Sequence, residues 1–148
     1  LLFHYLSNKD VLNVTINVAE SFVQQPDAGY LIPVLIVSFR ALYQDYDRDL
    51  VDHLVQEFVS NTLIEGGEIL PEKYADLVCE MALRSSAVTY EYILRKLLYI
   101  NGGLSPLETS FLFEFLFKKR KPRRSFIGRH PALKRHLKGT NYSRYPRV

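Results

Sequence analysis

The residues most able to do chemistry in this chain are cationic and crowded. Lys118, Lys119, Arg120, Lys121, Arg123 and Arg124 place six positive charges in seven positions, interrupted only by Pro122. Side chains at this density meet the phosphates of a nucleic-acid backbone. Each contact releases condensed counterions, so the binding is strong, salt-dependent and largely indifferent to sequence. Downstream, Arg129, Lys134, Arg135, Lys138, Arg144 and Arg147 are interleaved with Phe126, Ile127, Leu133, Leu137, Tyr142 and Tyr145. Aromatic rings stack on exposed bases while arginines hold phosphates, and Tyr142 and Tyr145 are the rings expected to do so. Residues 118–148 hold 12 Lys and Arg and no acid, whereas residues 1–117 hold 7 Lys and Arg against 16 Asp and Glu. The balance is therefore +12 in the last segment and −9 before it, giving the net +3 of the whole chain. Such a split points to a tail with its own polyanionic partner, because an acidic body repels nucleic acid. Lys73, Arg84, Arg95 and Lys96 are the basic helpers in the second half of the body.

Other chemistry finds less support. His53 shares its segment with Asp49, Asp52 and Glu57, which can be drawn as an acid–base cluster, but the spacing fits a solvated helical face. His130 and His136 are six apart with no acidic or Cys neighbour, so they are expected to extend the cationic tail and not to hold a metal. Cys79, between Val78 and Glu80, reads as a small core residue. There is no phosphate loop, dinucleotide fingerprint or nucleophile elbow, so neither an enzyme, nor a cofactor, nor a small-molecule substrate is expected. A single cysteine excludes a disulfide within the chain and favours a reducing compartment, with the mitochondrial matrix and the nucleus both open. No apolar run approaches the roughly 20 residues of a membrane-spanning helix. The chain shows no signal peptide and begins at Leu1 instead of Met, so further sequence before it is expected.

The elements that must position the basic residues read as helices. Ser7 and Asp10 have the spacing of a capping box, followed by Val11, Leu12, Val14, Val18, Phe22 and Val23 on one stripe, ending before Pro26. Pro33 suits a first helical turn, with Leu35, Phe39, Leu42 and Tyr43 behind it; the Val and Ile content leaves a buried strand as the alternative. Asp47 or Asp49 can cap a helix carrying Leu50, Leu54, Phe58 and Leu63, closed by Gly66 and Gly67. Pro71-Glu72 opens the next, with Tyr74, Leu77, Val78 and Met81, and Ser85-Ser86 breaks it. Tyr90, Ile93, Leu94, Leu97 and Leu98 follow, then the turn Asn101-Gly102-Gly103. Ser105-Pro106-Leu107-Glu108 is the clearest helix start, leading through Phe111, Leu112, Phe115 and Leu116 into Lys118. Pro122 is expected to end that helix and send the chain away from the body, and Pro131 to Lys138 can form a short basic helix closed by Gly139.

Val88-Thr89-Tyr90 followed by two helices resembles one unit of the pentatricopeptide family of RNA-binding helical repeats, over about residues 88–122, with no second copy at the expected interval. That resemblance implies that positions near Thr89 and Glu91 face RNA bases. The expected architecture is all-α: a helical bundle or short helical-hairpin array at 1–117, with an extended basic tail at 118–148. The tail is expected to be flexible when free, and its charges to be removable without opening the core. The function that fits is a structural or assembly component of a ribonucleoprotein particle, ribosome-like or RNA-processing. Its body would bind protein subunits and its tail structured RNA such as rRNA. The alternatives are a helical interaction scaffold whose tail is a nuclear import signal or docks an acidic partner, and a fragment of a larger RNA-processing enzyme. An anionic membrane surface is a weaker fit, because the tail lacks a long apolar face.

Overall fold

The computed structural model describes residues 32–60, 74–99 and 106–137, together with the single positions 17 and 21. The expected Ser7 helix start, the Gly66-Gly67 stop, the Pro71 start, the Asn101-Gly102-Gly103 turn and the Ser105 cap lie outside these residues. Among the described residues every element is helical and no strand occurs. The chain is all-α.

Helix α1 (Ile32–Asp45) carries Pro33 in its first turn, where the missing amide has no helical partner to lose. It buries Ile32, Leu35, Phe39 and Leu42, spaced three and four apart, so one face meets the core while Val34 and Val37 stay exposed. This spacing is why the Val/Ile-rich run is a helix and not a strand. Helix α2 (Arg48–Phe58) starts on Asp47, whose carboxylate accepts the Asp49 amide at 2.8 Å. Its buried face is Val51, Leu54, Val55 and Phe58, turned away from the expected Leu50, which is exposed. Phe58 meets Phe39 of α1 with ring centroids 5.6 Å apart.

Helix α3 (Ala75–Arg84) is the central element, packed on α1 and also against the two helices that come next in the chain. Leu77, Val78, Met81 and Ala82 are wholly buried. Ser85 and Ser86 are extended and separate α3 from α4 (Ala87–Leu98). The start of α4 is held twice. The Ser86 hydroxyl accepts the Thr89 amide at 3.4 Å, and the buried Asp52 of α2 accepts the Ser86 amide at 3.2 and 3.3 Å. Asp52 also accepts the Tyr43 hydroxyl at 2.8 Å, so one carboxylate ties α1 and α2 to the positive end of α4. Tyr90, Ile93, Leu94 and Leu97 form the buried face of α4.

Helix α5 (Pro106–Lys119) departs from the expected stripe. Leu112, Phe113, Leu116 and Phe117 are buried, whereas Phe111 and Phe115 are 63% and 48% exposed. A helix with aromatic residues on two faces has no unique apolar stripe. The adjacent pairs 112/113 and 116/117 win because α5 is packed between α3 and residues 131–137.

The basic segment is described as far as Leu137. Pro122 does end the helix, but it is itself buried and turns the chain back along the body. Helix α6 (Arg124–Arg129) and a 3-10 helix (Pro131–Leu137) come after it, the latter packed on both α5 and α6. Phe126 and Leu133 are 1% and 0% exposed, and Ile127 and Leu137 are buried beside them. Each such side chain contributes about 1.5–3 kcal/mol on burial, enough to order a short segment against a surface that already exists. The expected boundary at 118 thus falls inside α5, and core packing runs on to Leu137. Residues 138–148 lie outside the described residues.

Candidate nucleic-acid interface

The basic residues divide by what they touch. Lys118 and Lys119 stand exposed on the last turn of α5, at the negative pole of the helix, with Lys119 Nζ 5.9 Å from the centre of the Phe115 ring. Lys121, Arg124, Arg129, Lys134 and Arg135 are also exposed, and the Arg135 guanidinium donates to His136 Nε2 at 3.2 Å. Lys138, Tyr142, Arg144, Tyr145 and Arg147 lie outside the described residues.

Arg120 and Arg123 are engaged by the body, the first half-buried and the second from an exposed position. The Arg120 guanidinium donates to the backbone carbonyls of Ser85 at 2.5 Å, Ala82 at 3.1 Å and Leu83 at 3.5 Å. It lies 4.7 Å from the centre of the Tyr90 ring, whose hydroxyl donates back to the Arg120 carbonyl at 2.5 Å. The carbonyls of Ala82 and Leu83 belong to the last turn of α3, which has no helical donors of its own, so a permanent cation there caps the helix. Arg123 forms a two-pronged pair with Glu91, at 2.8 and 2.6 Å, and its backbone amide adds a third bond at 3.3 Å. Burial pushes the Glu91 carboxyl up, but the hydrogen bonds and charge of Arg123 outweigh it and hold the carboxyl below the ordinary range. Both arginines therefore hold contacts with the body that neutralisation would remove.

Glu91 and Thr89, implied by the pentatricopeptide resemblance to face bases, are buried instead; Thr89 accepts a hydrogen bond from Gln56 at 2.8 Å. The two tail histidines also differ from expectation. His136 is buried, 3.3 Å from Ser110 Oγ and with its ring 5.0 Å from that of Phe113; burial, then Arg135, pushes its pKa down. His130 is pushed down by burial, Arg129 and Arg95. Neither adds positive charge at neutral pH.

The remaining chemical candidates are structural. His53 pairs with Glu57 at 3.4 Å on the exposed side of α2, while Asp52 faces inward, so the acidic group around His53 is split between two faces. The Cys79 thiol is pushed up to about 12 by burial, then by Asp76 and Glu80, which leaves it protonated. Among the described residues no group of three His, Cys, Asp or Glu side chains is placed to hold a metal, and no helix is long and apolar enough to cross a membrane.

One group of residues was not legible as a unit. Tyr99, just after the end of α4, meets His130, just after the end of α6, with its Oη 2.8 Å from His130 Nδ1, and Arg95 and Arg129 lie one turn and one residue before them. The i, i+4 spacing of Arg95 and Tyr99 was the available signal, but joining them to α6 needs the turn at Pro122. Comparison with protein-family models, with curated proteins and with solved structures finds no match.

Proposed function

We propose that this chain is a structural or assembly component of a ribonucleoprotein, in which the helical body holds protein subunits and the C-terminal cationic surface binds RNA. One observation carries the reading. The described part of the acid-free segment buries Phe126, Ile127, Leu133 and Leu137 against the body and leaves Lys118, Lys119, Lys121, Arg124, Arg129, Lys134 and Arg135 on the outside. A row of cations fixed on a folded support meets phosphates without the ordering cost of a free tail. Exposed apolar side chains on α1 and α5, Val34, Val37, Phe111 and Phe115, supply contacts for protein subunits. The lone buried Cys79 is compatible with a reducing compartment inside the cell.

The experiment is a salt titration of the full chain with single-stranded RNA, duplex RNA, duplex DNA and an acidic protein of similar charge density. Tight RNA binding that weakens linearly in log affinity against log salt is the expected outcome. Binding to the acidic protein but to none of the nucleic acids would replace this reading with that of a scaffold for an acidic partner.

A further inference from the structure

We propose that the exposed side of α4 and the end of α6 form a clamp for one unpaired nucleotide, with Tyr99 and His130 as the stacking platform and Arg95 and Arg129 as the phosphate contacts. This rests on the reading that the cationic segment meets RNA, and it adds a base-binding element that lies partly outside that segment.

The Tyr99 ring is 63% exposed, yet it is held at two points. Its hydroxyl is 2.8 Å from His130 Nδ1, and the two rings lie 5.6 Å apart. The His130 ring sits 4.5 Å from that of Phe126, which is buried in the core. An exposed tyrosine is thereby anchored through His130 to the interior, and a platform already fixed loses little freedom when a base lands on it. Arg95 is one turn before Tyr99 on α4 and lies 5.6 Å from the centre of the Tyr92 ring, where Lys96 also approaches at 5.5 Å. Arg129 precedes His130 directly. Burial first, and then Arg129 and Arg95, disfavour protonation of His130, and both arginines are exposed. Glu91, which acts on His130 in the opposite direction, is itself paired with Arg123. An aromatic face between arginines suits a base with a free face and its adjoining phosphates, hence a single strand and not a duplex.

The test uses the full chain and a fluorescein-labelled single-stranded RNA of about a dozen nucleotides, within the range of roughly 4–16 covered by single-strand binding modules, beside the same sequence as duplex. Tyr99→Ala is expected to weaken single-strand binding about 5- to 150-fold, the equivalent of one lost base stack, with the salt slope unchanged. Tyr99→Phe keeps the ring but loses the hydroxyl's bond to His130, and is expected to bind more tightly than Tyr99→Ala and more weakly than the parent. Arg95→Gln is expected to reduce the slope by about 0.7. Both side chains are at the surface, and an unchanged melting temperature verifies that the variants are folded. Single-strand affinity that is the same in the parent and in Tyr99→Ala overturns the clamp while the RNA-binding reading stands. A parent that binds neither strand nor duplex at low salt overturns both.

Discussion

Arg120 and Arg123 belong to the densest cationic run of the chain, yet the half-buried Arg120 guanidinium is engaged by backbone carbonyls and that of the exposed Arg123 by Glu91, so residue type alone does not decide which charge binds a ligand. Arg120 donates to three carbonyls at the end of α3 and just beyond it, and hydrogen bonds to a charged group are worth about 1.5–3 kcal/mol each, so its place is structural. His136 makes the same point for a titrating group. Its folded pKa lies below the ordinary histidine value, so the unfolded chain binds protons that the folded chain does not. Stability is then highest above the unfolded value near 6.5 and is lost progressively as pH falls through it toward the folded value. Urea melts between pH 7.5 and 5 are expected to show this decline, and His136→Gln is expected to flatten it. A decline of equal steepness in the variant would place its origin elsewhere; His130, pushed in the same direction by burial, Arg129 and Arg95 and opposed by Glu91, is the other contributor to separate.

At the scale of elements, the consequential feature is that α6 and the 3-10 helix close the core. Phe126 and Leu133 are as buried as any residue of α3. Phe126→Ala is expected to cost about 3–5 kcal/mol and Leu133→Ala about 2–5 kcal/mol, measured by denaturant melts. A stability within 0.5 kcal/mol of the parent for both would mean that the segment is an appendage. The helices themselves were legible where caps and spacing agreed: Pro33, Asp47, the Ser85-Ser86 break and the stripes at 35/39/42 and 77/78/81 all fall where the sequence puts them. The face of α5 was not, because phenylalanines at 111, 113, 115 and 117 fit several stripes and only the partners choose among them. The packing of 126–137 was hidden for another reason. Counted against that segment alone, four apolar residues among many charges cannot offset its ordering entropy. Counted against the surface of α5, they can. The cations can be read from the sequence as residue types, but which two are structural depends on contacts with Glu91 and the end of α3, more than 30 positions away.

For the whole molecule, the outcome is a charge separation that is built in. The described part of the acid-free segment is tied to the body by Arg120, Arg123 and the buried Phe126, Ile127, Leu133 and Leu137, and it leaves Lys118, Lys119, Lys121, Arg124, Arg129, Lys134 and Arg135 exposed. On the proposed reading, such a charge distribution steers polyanions toward the cationic segment. It also sharpens the choice of variants, since the two structural arginines must be kept. The direct measurement is RNA affinity against salt for the parent and for a chain carrying Lys118→Gln, Lys119→Gln, Arg129→Gln and Lys134→Gln, all exposed in the folded chain. With an unchanged melting temperature, the expected result is loss of most of the affinity and a salt slope smaller by about 3, at about 0.7 per phosphate contact for single strands. The same affinity and the same slope in both proteins would contradict RNA binding by this surface.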